Sequence, residues 1–424
     1  MVELLLAMIS GLLVGVTVGL LPALPIYFGP FLLYFFMGWT PESMLVFWGM
    51  VLIGSQYLGS VATIGMGLPG EASSLIYLDQ VKTLSLAERG SLIKTTAQGS
   101  MIAGTAALIV LWFLMTQVLG DIIPYLMSIR VQAVLYAIVI ALMFMYNRWW
   151  ITLLLILAGL VLGPKNNYVL PDHWYHLTLW FQDTTFFMIV LGTMLIPAMF
   201  VRTQAPTEVA SVPKSPIAWR PVLKGTGIGM VSGLVPGPTA EVASMLAYRL
   251  SQTVKDKIIS AESANNSAVV MLLLPLLLIG MPITASSLIF SNIMDQKTVW
   301  LPEYILGSSV IPGMKVVDTV IAALLLGSVL FYLLSIKGLS LYAKLIALVS
   351  RNPIVLVIIV TAMMALDIWQ SEVPVAKYLL LLSSFLAAGT LMQWKKINPI
   401  PFIFCVILGD KIIWLLMQGY AIYF

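Results

Sequence analysis

Charged residues are scarce in this chain, and their scarcity indicates the solvent around it. Only 9% of the 424 residues are charged and 60% are hydrophobic, whereas about 25% of an ordinary soluble domain is charged. A soluble fold of this length needs a far more polar surface, so the composition predicts a protein embedded in a lipid bilayer. The long apolar runs lack the alternation of barrel strands, which favours α-helices as the spanning elements.

The residues of metal sites and of hydrolytic enzymes are also few. Cys405 is the single cysteine, which excludes an intrachain disulfide and a cysteine metal cluster. His173 and His176 share one polar loop, and an interfacial loop explains them better than a metal site does. The sequence contains no H-E-x-x-H, no phosphate-binding P-loop and no G-x-S-x-G with triad partners. We therefore expect no enzyme activity, and the net charge of +4 gives no reason to expect nucleic acid.

The apolar runs set the number of membrane segments. Because a spanning helix needs roughly 20 apolar residues, the breaks in the sequence predict about 10–12 transmembrane segments. The first run, from Leu4 to Phe36, is too long for a signal peptide and has no basic start. We expect it to belong to the mature protein, an all-α integral membrane protein.

Two motifs recur at nearly the same spacing. GLLP beginning at Gly19 returns as GLVP beginning at Gly233, and GLPGEASSLIY beginning at Gly67 returns as GMPITASSLIF beginning at Gly280. We call the separation of Gly67 and Gly280 the repeat offset; that of Gly19 and Gly233 is longer by a single position. Biased composition explains each match alone but not their common offset. The sequence therefore predicts two transmembrane repeats, residues 1–200 and 225–424, joined by a cytoplasmic linker, residues 201–224.

Loop charge suggests how the two repeats are oriented. The linker is rich in proline, lysine and arginine, which places it in the cytoplasm. The basic loop follows the second motif in the first repeat but the first motif in the second repeat, as expected for an inverted repeat. The segment from Gly225 to Tyr248 then lies between two basic loops and barely spans once. We predict a re-entrant hairpin with Pro236-Gly237-Pro238 at its tip; the alternative is that one basic loop is periplasmic.

The helix breaks are the best candidates for a binding site. Proline and glycine free backbone groups, and at membrane depth these are tolerated only inside protein or beside a water-filled cavity. Freed N–H groups at a helix N-terminus bind carboxylates, and freed carbonyl groups coordinate Na⁺. The predicted substrate-binding residues are Ser60, Thr63, Pro69, Gly70, Ser73, Pro236, Gly237, Asn265, Asn266, Pro282, Thr284 and Ser286. The predicted cation-binding residues are Gly59, Ser60, Asn265 and Asn266.

Four acidic residues lie next to apolar segments or helix breaks, and they differ in what they indicate. Glu71 and Glu241 adjoin the helix breaks, which makes them candidates. Asp318 and Asp367 lie near segment ends, where a charge usually reaches the lipid headgroups.

Several of these stretches resemble signatures of a known transporter family. Tyr57 to Gly70 resembles Y-G-G-S-I-T-x-I-L-x-x-x-P-G, and the stretch from Glu262 to Ser267 resembles E-x-A-N-N-A. Together with Pro275 to Pro282, they are similar to motifs of the TctA family, the large membrane subunit of tripartite tricarboxylate transporters. This sequence looks like a short member of the family, and a divergent one, because glycine is lost in three of the motifs.

The resemblance implies a secondary transporter in the bacterial inner membrane that imports carboxylates, such as tricarboxylates and dicarboxylates, with Na⁺ or H⁺. Na⁺ is the expected coupling ion and no other cofactor is expected. A small membrane subunit and a periplasmic solute-binding protein are the implied partners. The alternatives are a stand-alone permease for another small anion, a channel, and a membrane scaffold without transport.

Overall fold

The structure is a computed structural model that describes most of the chain. The described residues are 2–20, 26, 28–66, 72–118, 133–134, 137, 140–141, 143–144, 147–162, 188–189, 191–199, 216–234, 239–280, 282, 284–299, 301–311, 313–338, 341–342, 344, 358, 361–362, 364–365, 368–369, 373–395, 397–399, 401–402 and 405–406. The polar loop with His173 and His176, the linker residues 201–215 and most of residues 119–146, 345–372 and 400–424 lie outside them.

Helices dominate the described residues, and six are long and apolar enough to cross a membrane. These six are Val2–Leu20, Pro41–Gly65, Leu86–Val118, Val254–Leu278, Val316–Lys337 and Val375–Trp394. The predicted all-α membrane fold is confirmed, whereas the total of 10–12 segments stays a prediction.

The chain forms two compact units that are discontinuous in sequence. The first unit comprises Met1–Ile122 with Thr203–Arg351, and the second comprises Ile123–Arg202 with Asn352–Phe424. Each unit thus takes residues from both predicted repeats.

The first unit contains two successive helical series, which we call the first and second copies. The first copy consists of α1 (Val2–Leu20), α2 (Phe28–Leu32) with a 3-10 turn (Leu33–Phe36), α3 (Pro41–Met66), a second 3-10 turn (Ala72–Ile76), α4 (Leu78–Thr83) and α5 (Leu86–Phe113), which continues as a π-helical turn (Leu114–Val118). Pro41 occupies the first position of α3, where its missing N–H costs nothing. A capping box between Ser85 and Glu88 begins α5.

The second copy follows the linker. It consists of α8 (Trp219–Ser232), α9 (Thr239–Arg249), α10 (Val254–Met271), α11 (Leu273–Ile279), α12 (Ala285–Gln296), α13 (Leu301–Gly307), a two-stranded antiparallel hairpin of β1 (Ser309–Ile311) and β2 (Met314–Lys315), and α14 (Val316–Lys337). Residues 219–224, which the sequence analysis assigned to the linker, already belong to α8.

The second unit has fewer described elements. They are α6 (Trp149–Leu162), a π-helical turn (Leu191–Leu195), α7 (Ile196–Met199) and α15 (Val375–Trp394). Gly389 of α15 packs against the backbone of Gly192 and Thr193. Asn147 donates from Nδ2 to the Asn398 carbonyl oxygen at 2.9 Å and accepts from the Asn398 N–H at 2.8 Å.

Glycines mark the closest helix contact in each copy of the first unit. One face of α1 and one face of α8 each carry three glycines at four-residue spacing: Gly11, Gly15, Gly19, Gly225, Gly229 and Gly233. A methyl group at Gly11 would lie 2.7 Å from the Phe47 carbonyl oxygen of α3, and one at Gly19 would lie 2.8 Å from that of Ser55. These helices can approach so closely only because glycine has no side chain.

The glycines of α8 meet the corresponding positions of α10. Gly225 faces the Ser260 carbonyl, and a methyl group at Gly233 would lie 2.6 Å from the Ala268 carbonyl oxygen. The repeat offset relates Ser260 to Phe47 and Ala268 to Ser55. The α8–α10 contact therefore repeats the α1–α3 contact residue by residue.

The two copies also exchange contacts. α10 of the second copy packs against α5 of the first, and α3 of the first packs against α14 of the second. At these crossings Gly99 lies against Ser263 and Gly327 lies against Met50, and the repeat offset again relates Met50 to Ser263. Because of these contacts between the copies, α3 and α10–α11 lie at the centre of the first unit. Their apolar stretches are 100% and 94% buried, whereas that of α1 is 28% buried.

The helices are interrupted where the sequence analysis expected breaks. α11 ends at Ile279, Gly280 follows with φ of 67°, and α12 begins at Ala285.

α8 and α9 pack against each other and against α10. At 1.5 Å per residue they reach roughly 21 Å and 17 Å, and neither crosses a hydrocarbon core of about 30 Å. Two short packed helices fit the predicted hairpin, although its tip at 235–238 lies outside the described residues.

Candidate functional site

A buried carboxyl group joins the two copies at the centre of the first unit. Glu262, in the middle of α10, is 1% exposed. Its carboxyl accepts hydrogen bonds from the Ser60 hydroxyl of α3 and from the Tyr77 hydroxyl, which follows the 3-10 turn. Ser60 and Tyr77 are also buried. The carboxyl therefore has two hydroxyl partners, both supplied by the first copy.

Two polar stripes meet at this point. Glu262, Asn265 and Asn266 are three and four residues apart, which puts their side chains on one face of α10. Gln56, Ser60 and Thr63 follow the same helical spacing on α3. Asn265 donates from Nδ2 to the Gln56 side-chain oxygen, so the stripes contact each other directly.

Asn266 extends the cluster to a third helix. Its Nδ2 donates to the Ser100 hydroxyl of α5 at 2.9 Å and to the Glu262 carbonyl oxygen at 3.0 Å. Ser100 and Asn266 are 1% and 3% exposed. An unsatisfied amide in this environment would cost several kcal/mol, so these hydrogen bonds stabilise the Asn266 amide in the buried centre of the unit.

Thr63 connects the cluster to the first helix break. Its hydroxyl lies 3.0 Å from the Gly59 carbonyl oxygen and 2.9 Å from the Ser74 hydroxyl. Ser73, the neighbour of Ser74, is 3% exposed. The end of α3 and the 3-10 turn are thus held together at the site.

The structure brings together part of the predicted site. Ser60 bonds directly to Glu262, and Asn265 and Asn266 share the helical face of Glu262. Thr63 bonds to the Gly59 carbonyl oxygen and to Ser74, whereas the Ser73 hydroxyl is buried without a hydrogen-bond partner among the described residues. Pro69, Gly70, Pro236 and Gly237 lie outside the described residues, as do Glu71 and Asp367, and the side chain of Glu241 is not described.

Other predicted residues lie elsewhere. Ser286 accepts a 2.7 Å hydrogen bond from Trp48 Nε1, and Trp48 precedes Ser60 on α3 by about three helical turns, roughly 18 Å. Thr284 caps α12 through Ser287, and Pro282 is buried just before that cap. Asp318 lies in the first turn of α14, where its carboxylate accepts from the Lys315 N–H at 3.1 Å and from Trp112 Nε1 at 2.8 Å, as a charge near a segment end should.

Sequence reasoning missed the carboxyl at the centre of the cluster. It considered Glu71, Glu241, Asp318 and Asp367 as possible functional acids. Glu262 entered only as the first residue of a family motif. A signal was present, because Glu262, Asn265 and Asn266 share one helical face just before a long apolar run. The tyrosine at 77 and the glutamine at 56 carried no such signal, since their role depends on contacts across the fold.

The spanning helices, the internal duplication and the buried polar cluster together define a multi-pass membrane protein of the transporter class. The family model described as "Tripartite tricarboxylate transporter TctA family" matches residues 5–404. The chain belongs to the tripartite tricarboxylate transporter TctA family. It is therefore a transporter component and not an enzyme.

A curated relative comes from Agrobacterium vitis. It is described as "Uncharacterized 52.8 kDa protein in TAR-I ttuC' 3'region" and is 23% identical over 443 aligned positions, which cover 94% of this chain and 83% of the relative. No solved structure matches the chain.

Proposed function

We propose that this chain is the permease subunit of a secondary active transporter that imports small carboxylates across the bacterial inner membrane. Family membership supports a tricarboxylate transporter component. Uptake would be coupled to a cation gradient, of Na⁺ or of H⁺, and the substrate would be a tricarboxylate or a dicarboxylate. The partners would be a small membrane subunit and a periplasmic solute-binding protein.

The observation that carries this proposal is the buried polar cluster between the two copies. Glu262, Asn265 and Asn266 come from one copy, while Ser60, Thr63 and Tyr77 come from the other. Polar and ionisable groups at membrane depth are costly and usually mark a substrate or ion pathway. A cluster shared by two copies changes its geometry whenever the copies move relative to each other, and alternating access needs such a coupling. We propose that the copies are inverted, which stays a prediction from the loop charges.

The cluster also favours a cation next to the substrate over a carboxylate bound alone. Within the described residues it contains one acid, amides and hydroxyl groups, and no lysine or arginine. A single acid among neutral oxygen groups can hold one positive charge, either as a proton on the carboxyl or as a bound cation. The substrate carboxylates would then bind beside the cluster, at the N–H groups freed by the helix breaks.

Uptake into proteoliposomes tests the proposal. The chain would be reconstituted with its small membrane subunit, the solute-binding protein would be added, and labelled citrate and a dicarboxylate would be offered under a Na⁺ or a H⁺ gradient. We expect saturable accumulation that stops when the gradient is collapsed by an ionophore. Absence of uptake under both gradients would reject the proposal, and flux that neither saturates nor follows the gradient would identify a channel.

A further inference from the structure

Among the described residues, no lysine or arginine supplies a counter-charge to Glu262. The elements packed against α10 are α3, α5, α8, α9, α11 and the 3-10 turn. Their titratable groups, with those of α10 and the residue after the turn, are Glu42, Tyr57, Tyr77, Glu88, Arg89, Lys94, Arg220, Lys224, Glu241, Tyr248, Arg249, Lys255, Asp256 and Lys257. Of the groups whose side chains the structure describes, Tyr77 bonds to the Glu262 carboxyl, and no lysine or arginine forms an ion pair with it.

Several of the basic groups are engaged elsewhere. Arg89 donates to the carbonyl oxygens of Lys82 and Leu84 at 2.9 Å and 3.0 Å. Lys224 donates to the Leu250 carbonyl oxygen, and Lys257 lies over the Tyr248 ring. A carboxylate buried without a cation is strongly disfavoured, so this group requires either a proton or a mobile cation for part of its time.

The hydrogen bonds around Glu262 fit a carboxyl in either proton state. When it is ionised, Ser60 and Tyr77 both donate to it. When it is protonated, its O–H can donate to Ser60 Oγ, because the Ser60 hydroxyl can turn to the Gln56 carbonyl oxygen, 3.0 Å away. Tyr77 continues to donate to the other carboxyl oxygen. No polar group of the triad is left unsatisfied in either state, so a proton can enter and leave without a repacking of the core.

The internal duplication contains this triad once. At the repeat offset, Glu262, Ser60 and Tyr77 correspond to Gly49, Leu273 and Phe290. These three counterparts are apolar, and Trp48 stacks on Phe290 with ring centroids 4.5 Å apart. At the position related by the repeat, the two copies are therefore joined by a packed aromatic pair and not by a carboxyl with hydroxyl partners.

We propose that Glu262 binds and releases one proton in each transport cycle, and that the chain has a single proton-coupling group of this kind. The proposal deepens the proposed function and rests on it. Water on one side of the membrane delivers a proton to the carboxylate, which becomes the neutral acid, and the acid returns the proton to water on the other side. Glu262 belongs to the second copy, and its partners Ser60 and Tyr77 belong to the first. A movement of one copy against the other can therefore change the side of the membrane from which the carboxyl exchanges its proton.

A proton gradient applied alone tests coupling and stoichiometry. The complex in proteoliposomes has equal Na⁺ on both sides and a membrane potential clamped at zero with K⁺ and valinomycin. If one proton accompanies each substrate molecule, a pH difference of one unit supports about a tenfold accumulation of the substrate inside the vesicles. We expect Glu262→Gln, which keeps the shape but cannot titrate, to accumulate nothing and still exchange labelled for unlabelled substrate in counterflow.

Two controls make the result specific. Glu303→Gln makes the same chemical change at an exposed position of α13 and should accumulate substrate as the unmodified chain does. The second control measures proton movement in the unmodified complex. Fully ionised substrate added to de-energised proteoliposomes should raise the external pH, and the rise should correspond to the uptake of about one proton per substrate molecule.

The outcomes separate the role of Glu262 and the single coupling group from the proposed function. Full accumulation by Glu262→Gln, or an unmodified complex that accumulates carboxylate with Na⁺ but moves no protons, overturns the role of Glu262 and leaves the proposed function standing. About a hundredfold accumulation per pH unit would indicate two protons and overturn the single coupling group. An unmodified complex that neither accumulates nor exchanges carboxylate under any gradient overturns the proposed function itself.

Discussion

Two glycines on one helix provide a matched test of the internal duplication. Gly227 and Gly229 both lie within α8. A methyl group at Gly229 would overlap the Ser267 hydroxyl and the Ala264 carbonyl of α10, whereas one at Gly227 would meet nothing within 4 Å. Substitution of each by alanine therefore makes the same covalent change on the same helix, with and without an obstacle.

The expected changes in the free energy of unfolding differ in sign between the two variants. Alanine favours a helix over glycine by about 1 kcal/mol at both positions, so Gly227→Ala should be neutral or slightly stabilising. At Gly229 the added methyl meets main-chain atoms, which cannot turn aside as a flexible side chain can. Overpacking of this kind costs about 3 kcal/mol, the upper end of its usual range. After the helix gain is subtracted, Gly229→Ala should destabilise by about 2 kcal/mol, so the two variants should differ by about 2–3 kcal/mol.

Thermal unfolding in detergent measures this difference. The chain has 12 tryptophans, so intrinsic fluorescence reports unfolding without a label. We expect Gly229→Ala to melt lowest and Gly227→Ala to melt at or above the unmodified protein. Gly15→Ala tests the same contact in the first copy, where a methyl group would lie 2.9 Å from the Met50 carbonyl oxygen, and it should also melt lower. Equal melting of the two α8 variants would refute the close α8–α10 contact.

Two further substitutions test local contacts. Trp48→Phe keeps the stack on Phe290 but removes the hydrogen-bond donor to Ser286, and it should lower the free energy of unfolding by about 1 kcal/mol. Trp48→Ala also removes the stack and should lower it by about 3–5 kcal/mol. Comparable losses in the two variants would show that the stack contributes little. Ser85→Ala removes the cap of α5 and should lower the unfolding free energy by about 1 kcal/mol with uptake unchanged. Loss of uptake at unaltered stability would show that the cap has a role in transport.

The sequence predicted helices most accurately where the signal is a single local apolar run. Such runs located α14 and α15 within a few residues, whereas the run from Leu4 to Phe36 continued past the end of α1 at Leu20. The repeat offset of the motifs also predicted the break between α11 and α12, since proline and glycine act on the backbone wherever they occur. The glycine contacts were present in the sequence as four-residue spacing, but only the packed helices show which surfaces they meet.

The candidate site was predicted less completely. Ser60, Asn265 and Asn266 could be found because polar residues are conspicuous in an apolar segment. Glu262 was overlooked as an acid although it lies three residues before Asn265. Ser286 was included because it matches Ser73 in the repeat, yet its hydroxyl bonds to Trp48. Repeat symmetry in the backbone does not require the same chemistry at both places, and here one place is polar and the other aromatic.

The most direct test of the central claim is carboxylate uptake by variants of the shared polar cluster. Asn265→Ala and Asn266→Ala each remove an amide that bonds to another helix. Asn292→Ala is the matched control, because Asn292 also bonds across the copies, accepting from the Tyr34 hydroxyl at 3.0 Å, but outside the cluster. With uptake normalised to folded protein in the vesicles, we predict a loss of at least about tenfold, or about 1.4 kcal/mol, for each cluster variant and near-normal uptake for Asn292→Ala. Normal uptake by both cluster variants would contradict the claim that transport uses the contact between the two copies.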